Sequence, residues 1–150
     1  MLKRLQENDL VLYAQEQPES WEDAIKVSCQ KLEEKGIVTK EYAQDIILSL
    51  EEHGPYIVLI PNVAMPHAPT TSKGIKGTGV SLTVFKDCVV FYDKEEEKKA
   101  KLFFTIVADN AEKHLENITG LMDVLQNDEL LQALLETKSL DDYNQLINLL

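Results

Sequence analysis

Two short, uninterrupted apolar runs, residues 56–60 and 102–108, constrain the fold of this chain more than any other feature. Both are rich in β-branched and aromatic residues and too short for a typical helix, a pattern that indicates strands covered on both faces. Such strands need a helical layer on each side of their sheet. The chain has 150 residues, about the size of one domain. We therefore predict a single α/β domain over residues 1–150, with three layers and a mixed, mostly buried sheet of about five strands.

Capping signals and apolar spacing predict the helices that cover this sheet. One helix is expected to begin after Ser20 and to end before Gly36, and a second to begin after Thr39 and to end at Gly54-Pro55. Three more helices are expected after Asp109, which follows the second apolar run. The positions expected on their apolar faces are Leu115, Ile118, Met122, Leu125, Leu130, Leu131, Leu134, Leu135, Tyr143, Leu146, Ile147 and Leu150.

Alternating apolar residues predict one more strand over residues 78–85. We expect residues 89–92 to pair with it after a turn at 86–87, and we allow for a short strand near residues 10–13. Residues 61–69 contain three of the five prolines, so they are expected to form a stiff loop outside the sheet ladder. The charged residues 93–101 have no apolar period and are expected to form a solvated loop.

The charge balance excludes some classes of partner. Fifteen basic and 26 acidic residues give a net charge of -11, so most of the surface repels the phosphates of a nucleic acid. Basic protein partners suit such a surface, and we expect transient contacts with them. The N-terminus has no secretory pattern and no apolar run is long enough to span a membrane, which predicts a cytoplasmic protein. Cys29 and Cys88 are expected to be reduced, buried thiols.

His67 is the residue whose setting most favours chemistry. It lies on the proline-stiffened loop after an expected central strand, where α/β sheets tend to place their ligands. An imidazole with a pKa near 6.5 is largely neutral at pH 7 and therefore nucleophilic. The alternative is an ordinary hydrogen-bonded histidine. Partners are expected to approach over residues 61–70, with Val63 and Met65 among the apolar contacts.

His114 is the second candidate, because it lies near a helix N-terminus just beyond the other apolar run. A donor there could hold the oxygens of a phosphoryl group, whose transfer depends on positioning and charge stabilisation. The alternative is an exposed helical residue. His53 is expected to end its helix and interact with the dipole. Asp109 and Glu112 could join the histidines around a metal ion, but no metal-ligand spacing supports this, and Asp109 suits a helix cap.

Residues 53–68 resemble the signature of enzyme IIA of the bacterial sugar phosphotransferase system, in the mannitol/fructose superfamily and nearest to its ascorbate-type branch. Gly54-Pro55-Tyr56 opens this signature and Ala64-Met65-Pro66-His67 closes it. The resemblance extends over the chain through residues 21–24 and the second histidine, His114. Asn62 stands where such proteins usually have Gly, and Ala68-Pro69 lacks the Arg common after the active histidine. Lys73 or Lys76 could compensate for it.

The resemblance implies a phosphotransferase relay with no cofactor and no metal. His67 would accept a phosphoryl group from phospho-HPr as a tele-phosphohistidine and pass it to a cysteine of the cognate IIB component, for uptake of ascorbate or a related sugar acid through the membrane component IIC. His114 would hydrogen-bond the phosphoryl group. The residues alone leave open which nitrogen reacts and whether a homodimer forms. The alternative function is a regulatory module whose binding changes when the same histidine is phosphorylated, and a binding domain without transfer is a third.

Overall fold

The computed structural model describes residues 1–93 and 96–150. Along the chain the elements are α1 (Leu2–Glu7), β1 (Val11–Tyr13), α2 (Trp21–Ser28), α3 (Gln30–Glu34), α4 (Lys40–His53), β2 (Asn62–Ala64), β3 (Gly79–Asp93), β4 (Glu96–Val107), α5 (Ala111–Leu125), α6 (Asp128–Glu136) and α7 (Leu140–Asn148). No helix in this described part is long and apolar enough to cross a membrane.

The strands form one mixed sheet in the order β1-β3-β4-β2. The central strands β3 and β4 are antiparallel, whereas each edge strand is parallel to its neighbour. Successive residues of a strand face opposite sides of the sheet. Ser81 and Leu82 are both fully buried, as are Phe103 and Phe104, so helices cover both faces. The three-layer α/β prediction is therefore confirmed, with four strands among the described residues instead of about five.

Several local predictions are confirmed. Residues 102–107 lie in the buried half of β4, residues 79–85 begin β3, and β1 occupies the position of the expected short strand. The hydroxyl of Ser20 accepts the backbone N–H of Asp23 at the start of α2, as its capping signal predicts. Gly36 and Gly54, with φ of 71° and 80°, follow the ends of α3 and α4.

The expected strand over residues 56–60 is absent, and this prediction was wrong. Backbone bonds from Tyr56 N to Gly54 O and from Val58 N to Pro55 O turn the chain there, and Leu59 is 71% exposed. The strand forms a few residues later, as β2, inside the proline-rich segment expected to be a loop. Three residues between Pro61 and Pro66 are enough for an edge strand, where each proline lies outside the paired positions.

The expected turn at residues 86–87 and the expected loop at 93–101 were also wrong. Strand β3 continues through the turn positions with a register shift between Val84 and Val89, and β4 already begins at Glu96. Residues 94–95 of the charged run lie outside the described residues. Pairing with β3 gives the charged residues a partner strand, and Ala100 among them is fully buried. Pairing with a strand that is distant in sequence here overrides the local charge pattern, which by itself predicts a solvated loop.

The helices differ from expectation in four ways. Helix α1 was not predicted, although it buries Leu2 and Leu5. The first predicted helix is two, α2 and α3, separated at Cys29. Helix α5 is rotated from its predicted face: it buries Leu121, Val124 and Leu125, while two of its expected core residues are exposed, Leu115 by 65% and Met122 by 37%. Leu150, also expected in the core, is 72% exposed.

The two cysteines also differ from each other. Cys29 is fully buried, as expected, and burial raises the pKa of its thiol to about 12. Cys88 is only half-buried, so its expected burial was wrong. Its Sγ lies 3.5 Å from Oδ1 of Asn62, the first residue of β2.

Gly74 permits the closest approach between α4 and the segment after His67. A Cβ atom at this position would lie 2.4 Å from the Tyr42 nitrogen and 2.8 Å from its Cα, and the Gly74 carbonyl accepts the Thr39 N–H at 2.8 Å. Backbone atoms of a helix cannot move aside as a flexible side chain can. We predict that Gly74→Ala lowers the free energy of unfolding by about 2 kcal/mol in urea denaturation. Gly77→Ala, whose Cβ would meet nothing closer than 3.7 Å, is the control, and equal losses in both variants would contradict the prediction.

Candidate functional site

The loop that carries His67 is fixed by hydrogen bonds to its main chain on both sides. Strand β2 leads into it, and the Met65 N–H donates to the Ile57 carbonyl at 2.9 Å. The Pro66 carbonyl accepts the N–H of Ile106, on β4, also at 2.9 Å. Because β2 is parallel to β4, the loop emerges at the same sheet edge as the end of β4, where helix α5 begins. His67 is thus presented on a stiff backbone.

Helix α4 holds the same loop through a row of polar residues, which we call the polar stripe of α4: Thr39 at its N-cap, Tyr42, Asp45 and Ser49. Residues three or four apart lie on one side of a helix. The Thr39 N–H bonds to Gly74, the Asp45 carboxylate accepts the Ser72 hydroxyl, and Ser49 Oγ lies 3.2 Å from the Tyr56 hydroxyl. The sequence analysis gave no signal for this stripe.

Tyr42 is the central member of the stripe. Its buried hydroxyl donates to the Ile106 carbonyl and accepts the Ala68 N–H at 3.2 Å, so one side chain joins α4, β4 and the loop. Burial raises the pKa of Tyr42, which keeps its hydroxyl protonated and able to donate. Both backbone groups it satisfies are otherwise cut off from water.

The His67 ring is held so that one nitrogen is free to react. Nδ1 lies 2.8 Å from the Met65 carbonyl, and a carbonyl can only accept, so Nδ1 carries the proton and Nε2 keeps its lone pair. Burial lowers the pKa of His67 below its ordinary 6.5; the Met65 bond raises it, and the charge of His114 lowers it further. At pH 7 the imidazole is therefore neutral and Nε2 is a nucleophile.

The structure brings His114 to His67, as the two apolar runs had suggested, although the strands that meet are β2 and β4. The two ring centroids are 5.5 Å apart with an interplanar angle of 45°. His114 lies in the first turns of α5, whose N-cap Asn110 accepts the Lys113 N–H. A half-buried imidazole beside a nucleophilic nitrogen can donate a hydrogen bond to a group bound there.

Other residues singled out from the sequence lie elsewhere or act differently. His53 is the last residue of α4, as expected, with an exposed ring near Glu52. Asp109 is not the helix cap, since it pairs with Lys113 and accepts from Thr78. Glu112 and both candidate replacements for the missing Arg, Lys73 and Lys76, are exposed. Among the described residues no three His, Cys, Asp or Glu side chains converge as a metal site.

Two residues of the predicted partner surface are not available to a partner, because Val63 and Met65 are buried. Asn62, the residue at the usual glycine position, has a φ of 71°. Asparagine tolerates this left-handed conformation better than most residues, which explains why it can replace glycine there.

Tyr56 is a site residue that the sequence analysis treated only as part of a strand. Its hydroxyl donates to the His67 carbonyl at 2.8 Å, and its ring meets the imidazole edge-on at a centroid distance of 5.3 Å. The only available signal was its place in the Gly54-Pro55-Tyr56 motif.

Comparisons with known proteins converge on one family. Residues 4–149 match the family model described as "Phosphoenolpyruvate-dependent sugar phosphotransferase system, EIIA 2". Over 119 residues the chain is 36% identical to the mannitol-specific cryptic phosphotransferase enzyme IIA component of Escherichia coli K12, covering 79% of each chain. Over 111 residues it is 34% identical to the ascorbate-specific EIIA component of Shigella boydii, covering 74% of this chain and 70% of that protein.

Solved structures agree with this result. The solution structure of the same cryptic enzyme IIA of Escherichia coli superposes with a TM-score of 0.81 at 31% identity, covering 97% of both chains. A complex of enzyme IIAMtl with phosphorylated enzyme IIBMtl from Escherichia coli matches with a TM-score of 0.76 at 25% identity, covering 93% of this chain and 94% of that one.

The electrostatics of His67 give a testable prediction. We expect NMR titration of its ring to yield a pKa below 6.5, with the neutral form protonated at Nδ1, and we expect His114→Gln to raise that pKa because a neighbouring positive charge is lost. Because the folded pKa is depressed, the stability contributed by neutral His67 is fully present above pH 6.5 and is lost as the pH falls to the folded pKa. His53→Gln is the control and should leave the titration of His67 unchanged. A His67 pKa above 6.5 would contradict this account.

Proposed function

We propose that this chain, which belongs to the EIIA 2 family of the phosphoenolpyruvate-dependent sugar phosphotransferase system, carries its phosphoryl group on Nε2 of His67. The family makes it a phosphotransferase component for sugar uptake that carries phosphoryl groups between proteins. The observation that supports His67 as the carrier is the bond from its Nδ1 to the Met65 carbonyl, which leaves Nε2 as the nucleophile. The product is a tele-phosphohistidine.

The proposed reaction is two in-line transfers. In the first, the Nε2 lone pair of His67 attacks the phosphorus of the phosphohistidine of HPr; a new N–P bond forms as the donor's N–P bond breaks. In the second, a cysteine thiolate of the cognate IIB protein attacks, an S–P bond forms, and the lone pair returns to Nε2. The proton stays on Nδ1, hydrogen-bonded to the Met65 carbonyl, throughout, so neither transfer has to move a proton at His67.

His114 is proposed to stabilise the phosphoryl oxygens by hydrogen bonding. Its ring lies against that of His67, and donors aimed at phosphoryl charge are a main source of catalysis in such transfers. It does not carry the group itself. The N-terminal end of α5, on which it stands, adds a favourable dipole for an anion.

The partners are proposed to contact exposed apolar side chains of α4 and α5 instead of the buried loop residues expected from sequence. Leu115 follows His114 and is 65% exposed; Leu48 precedes Ser49 of the polar stripe and is 60% exposed. The IIBMtl complex of a structural relative supports a IIB protein as acceptor. Basic partners would also be favoured by the net charge of -11.

The proposed substrate of the transport system is ascorbate or a related sugar acid. One group of relatives is named for ascorbate and another, at similar identity, for mannitol. The ascorbate-type signature at residues 54–67 is what favours the first. Discharge of phospho-His67 by an ascorbate-type IIB protein, and not by a mannitol-type one, is the result that supports this choice.

The carrier residue can be tested directly. With enzyme I, HPr and labelled phosphoenolpyruvate, we expect one acid-labile phosphoryl group per chain, no label in His67→Ala, and normal labelling in the control His53→Ala. Chase with a IIB protein should remove the label within one turnover. Label that survives His67→Ala would refute the proposal, whereas label that no IIB protein removes would indicate a regulatory module.

The role of His114 has its own test. We expect His114→Ala to retain folding, by far-UV circular dichroism, and to slow single-turnover transfer from phospho-HPr by about 100- to 1,000-fold, since one donor to the transferred group is lost. Glu112→Ala, on the same turn of α5, is the control for changes at that helix end. A His114→Ala rate equal to that of the unmodified protein would exclude the donor role.

A further inference from the structure

We propose that Tyr56 is a positioning residue for the nucleophile. Its hydroxyl fixes the main chain at His67, and its ring holds the imidazole in the orientation in which Nδ1 is hydrogen-bonded to the Met65 carbonyl. The proposal rests on the proposed function for its kinetic consequence. Its structural basis is independent of that function, because it concerns which tautomer and which orientation His67 adopts.

Two contacts connect Tyr56 to His67. The hydroxyl donates to the His67 carbonyl at 2.8 Å, and the two rings meet at 81° with centroids 5.3 Å apart. Edge-to-face packing is a favourable arrangement of aromatic rings and restricts rotation of the imidazole. With His114 at 5.5 Å, the imidazole has a ring neighbour in each of two directions.

A third contact connects Tyr56 to a rigid element. Its hydroxyl has one proton, which it gives to the His67 carbonyl, so the Ser49 hydroxyl 3.2 Å away is the donor toward Tyr56. Ser49 belongs to the polar stripe on the 14-residue helix α4. A chain of bonds therefore runs from α4 through Ser49 and Tyr56 to His67.

These hydrogen bonds complement the ones made by the Tyr42 hydroxyl. Tyr42 holds the loop at the Ala68 N–H, and Tyr56 holds it at the His67 carbonyl, which belongs to the same peptide unit. Fixing both ends of that peptide leaves the His67 side chain little freedom except rotation of its own ring, which Met65 and Tyr56 then limit. Phosphoryl transfer depends mainly on such positioning.

The alternative is that Tyr56 only stabilises the fold, and a matched variant separates the two. Tyr13 makes a hydroxyl bond of the same length, 2.8 Å, to Thr137. It lies on β1, the edge strand opposite β2 in the sheet order. Tyr13→Phe therefore removes an equivalent tyrosine hydroxyl bond away from the site.

The experiment compares Tyr56→Phe, Tyr13→Phe and the unmodified protein in three measurements. These are the urea unfolding midpoint, the His67 tautomer by ¹⁵N NMR of the ring nitrogens, and the single-turnover rate of transfer from phospho-HPr. We expect similar unfolding midpoints in the two variants. Only Tyr56→Phe should populate the Nε2-protonated tautomer and slow transfer by about tenfold, while Tyr13→Phe should stay within twofold of the unmodified rate.

The outcomes are distinguishable. An unchanged tautomer in Tyr56→Phe together with an unchanged rate would overturn the positioning role of the Tyr56 hydroxyl, the group that this variant removes, and so would equal slowing in both variants. If the unmodified protein accepts no phosphoryl group, the proposed function fails, but a tautomer shift confined to Tyr56→Phe would still support the positioning of His67.

Discussion

The hydroxyl of Tyr42 is the interaction on which the arrangement of the site depends. A loop with two prolines around its histidine cannot satisfy its backbone by a regular ladder, since proline has no N–H to offer. The structure resolves this with a side chain from another element: the Tyr42 hydroxyl meets the Ala68 N–H on one side and the Ile106 carbonyl on the other. The backbone contact at Gly74 then brings the following segment against the same turn of α4.

The chemistry of His67 follows from this mechanical arrangement. Because the backbone is fixed, the Met65 carbonyl stays within reach of Nδ1 and selects one tautomer. Partial burial lowers the pKa of the ring, which keeps Nε2 unprotonated near neutral pH. The rigid backbone at His67, the tautomer of its ring and the lowered pKa of that ring are thus three consequences of the packing of one loop.

The parts of the fold that sequence predicted are those determined locally. The start of α2, for example, is decided by the hydroxyl of Ser20 within one turn, and residues 102–107 carry a strand signal of their own. Residues 56–60 carried a similar signal but form a turn, because Gly54 and Pro55 direct the chain away and β4 pairs instead with residues 62–64. The charged strand residues from Glu96 were missed because only the distant β3 makes them a strand.

The two histidines of the candidate site could be predicted from the sequence, but the tyrosines that hold the loop could not. The sequence predicted that His67 and His114 lie close together, although one premise was wrong: residues 56–60 form a turn, and β2, a few residues later, is the strand beside β4. Tyr42 and Tyr56 could not be assigned to the site, because a tyrosine in an apolar pattern looks like core, and the role of its hydroxyl depends on distant backbone groups. The burial of Val63 and Met65 could not be predicted for the same reason, because the segment that contains them is packed against residues that are far away in the sequence.

The comparisons show that membership of the family does not identify the transported sugar. Relatives named for mannitol and for ascorbate are about equally similar to this chain, so the shared phosphotransfer chemistry does not distinguish the two. On the proposed mechanism the sugar never meets this protein, and selectivity can arise only where a partner protein docks. Leu115, which follows His114 in the sequence and is 65% exposed, is one of the side chains proposed above to contact a partner. On that mechanism, specificity in the relay is a difference in protein–protein contact energy.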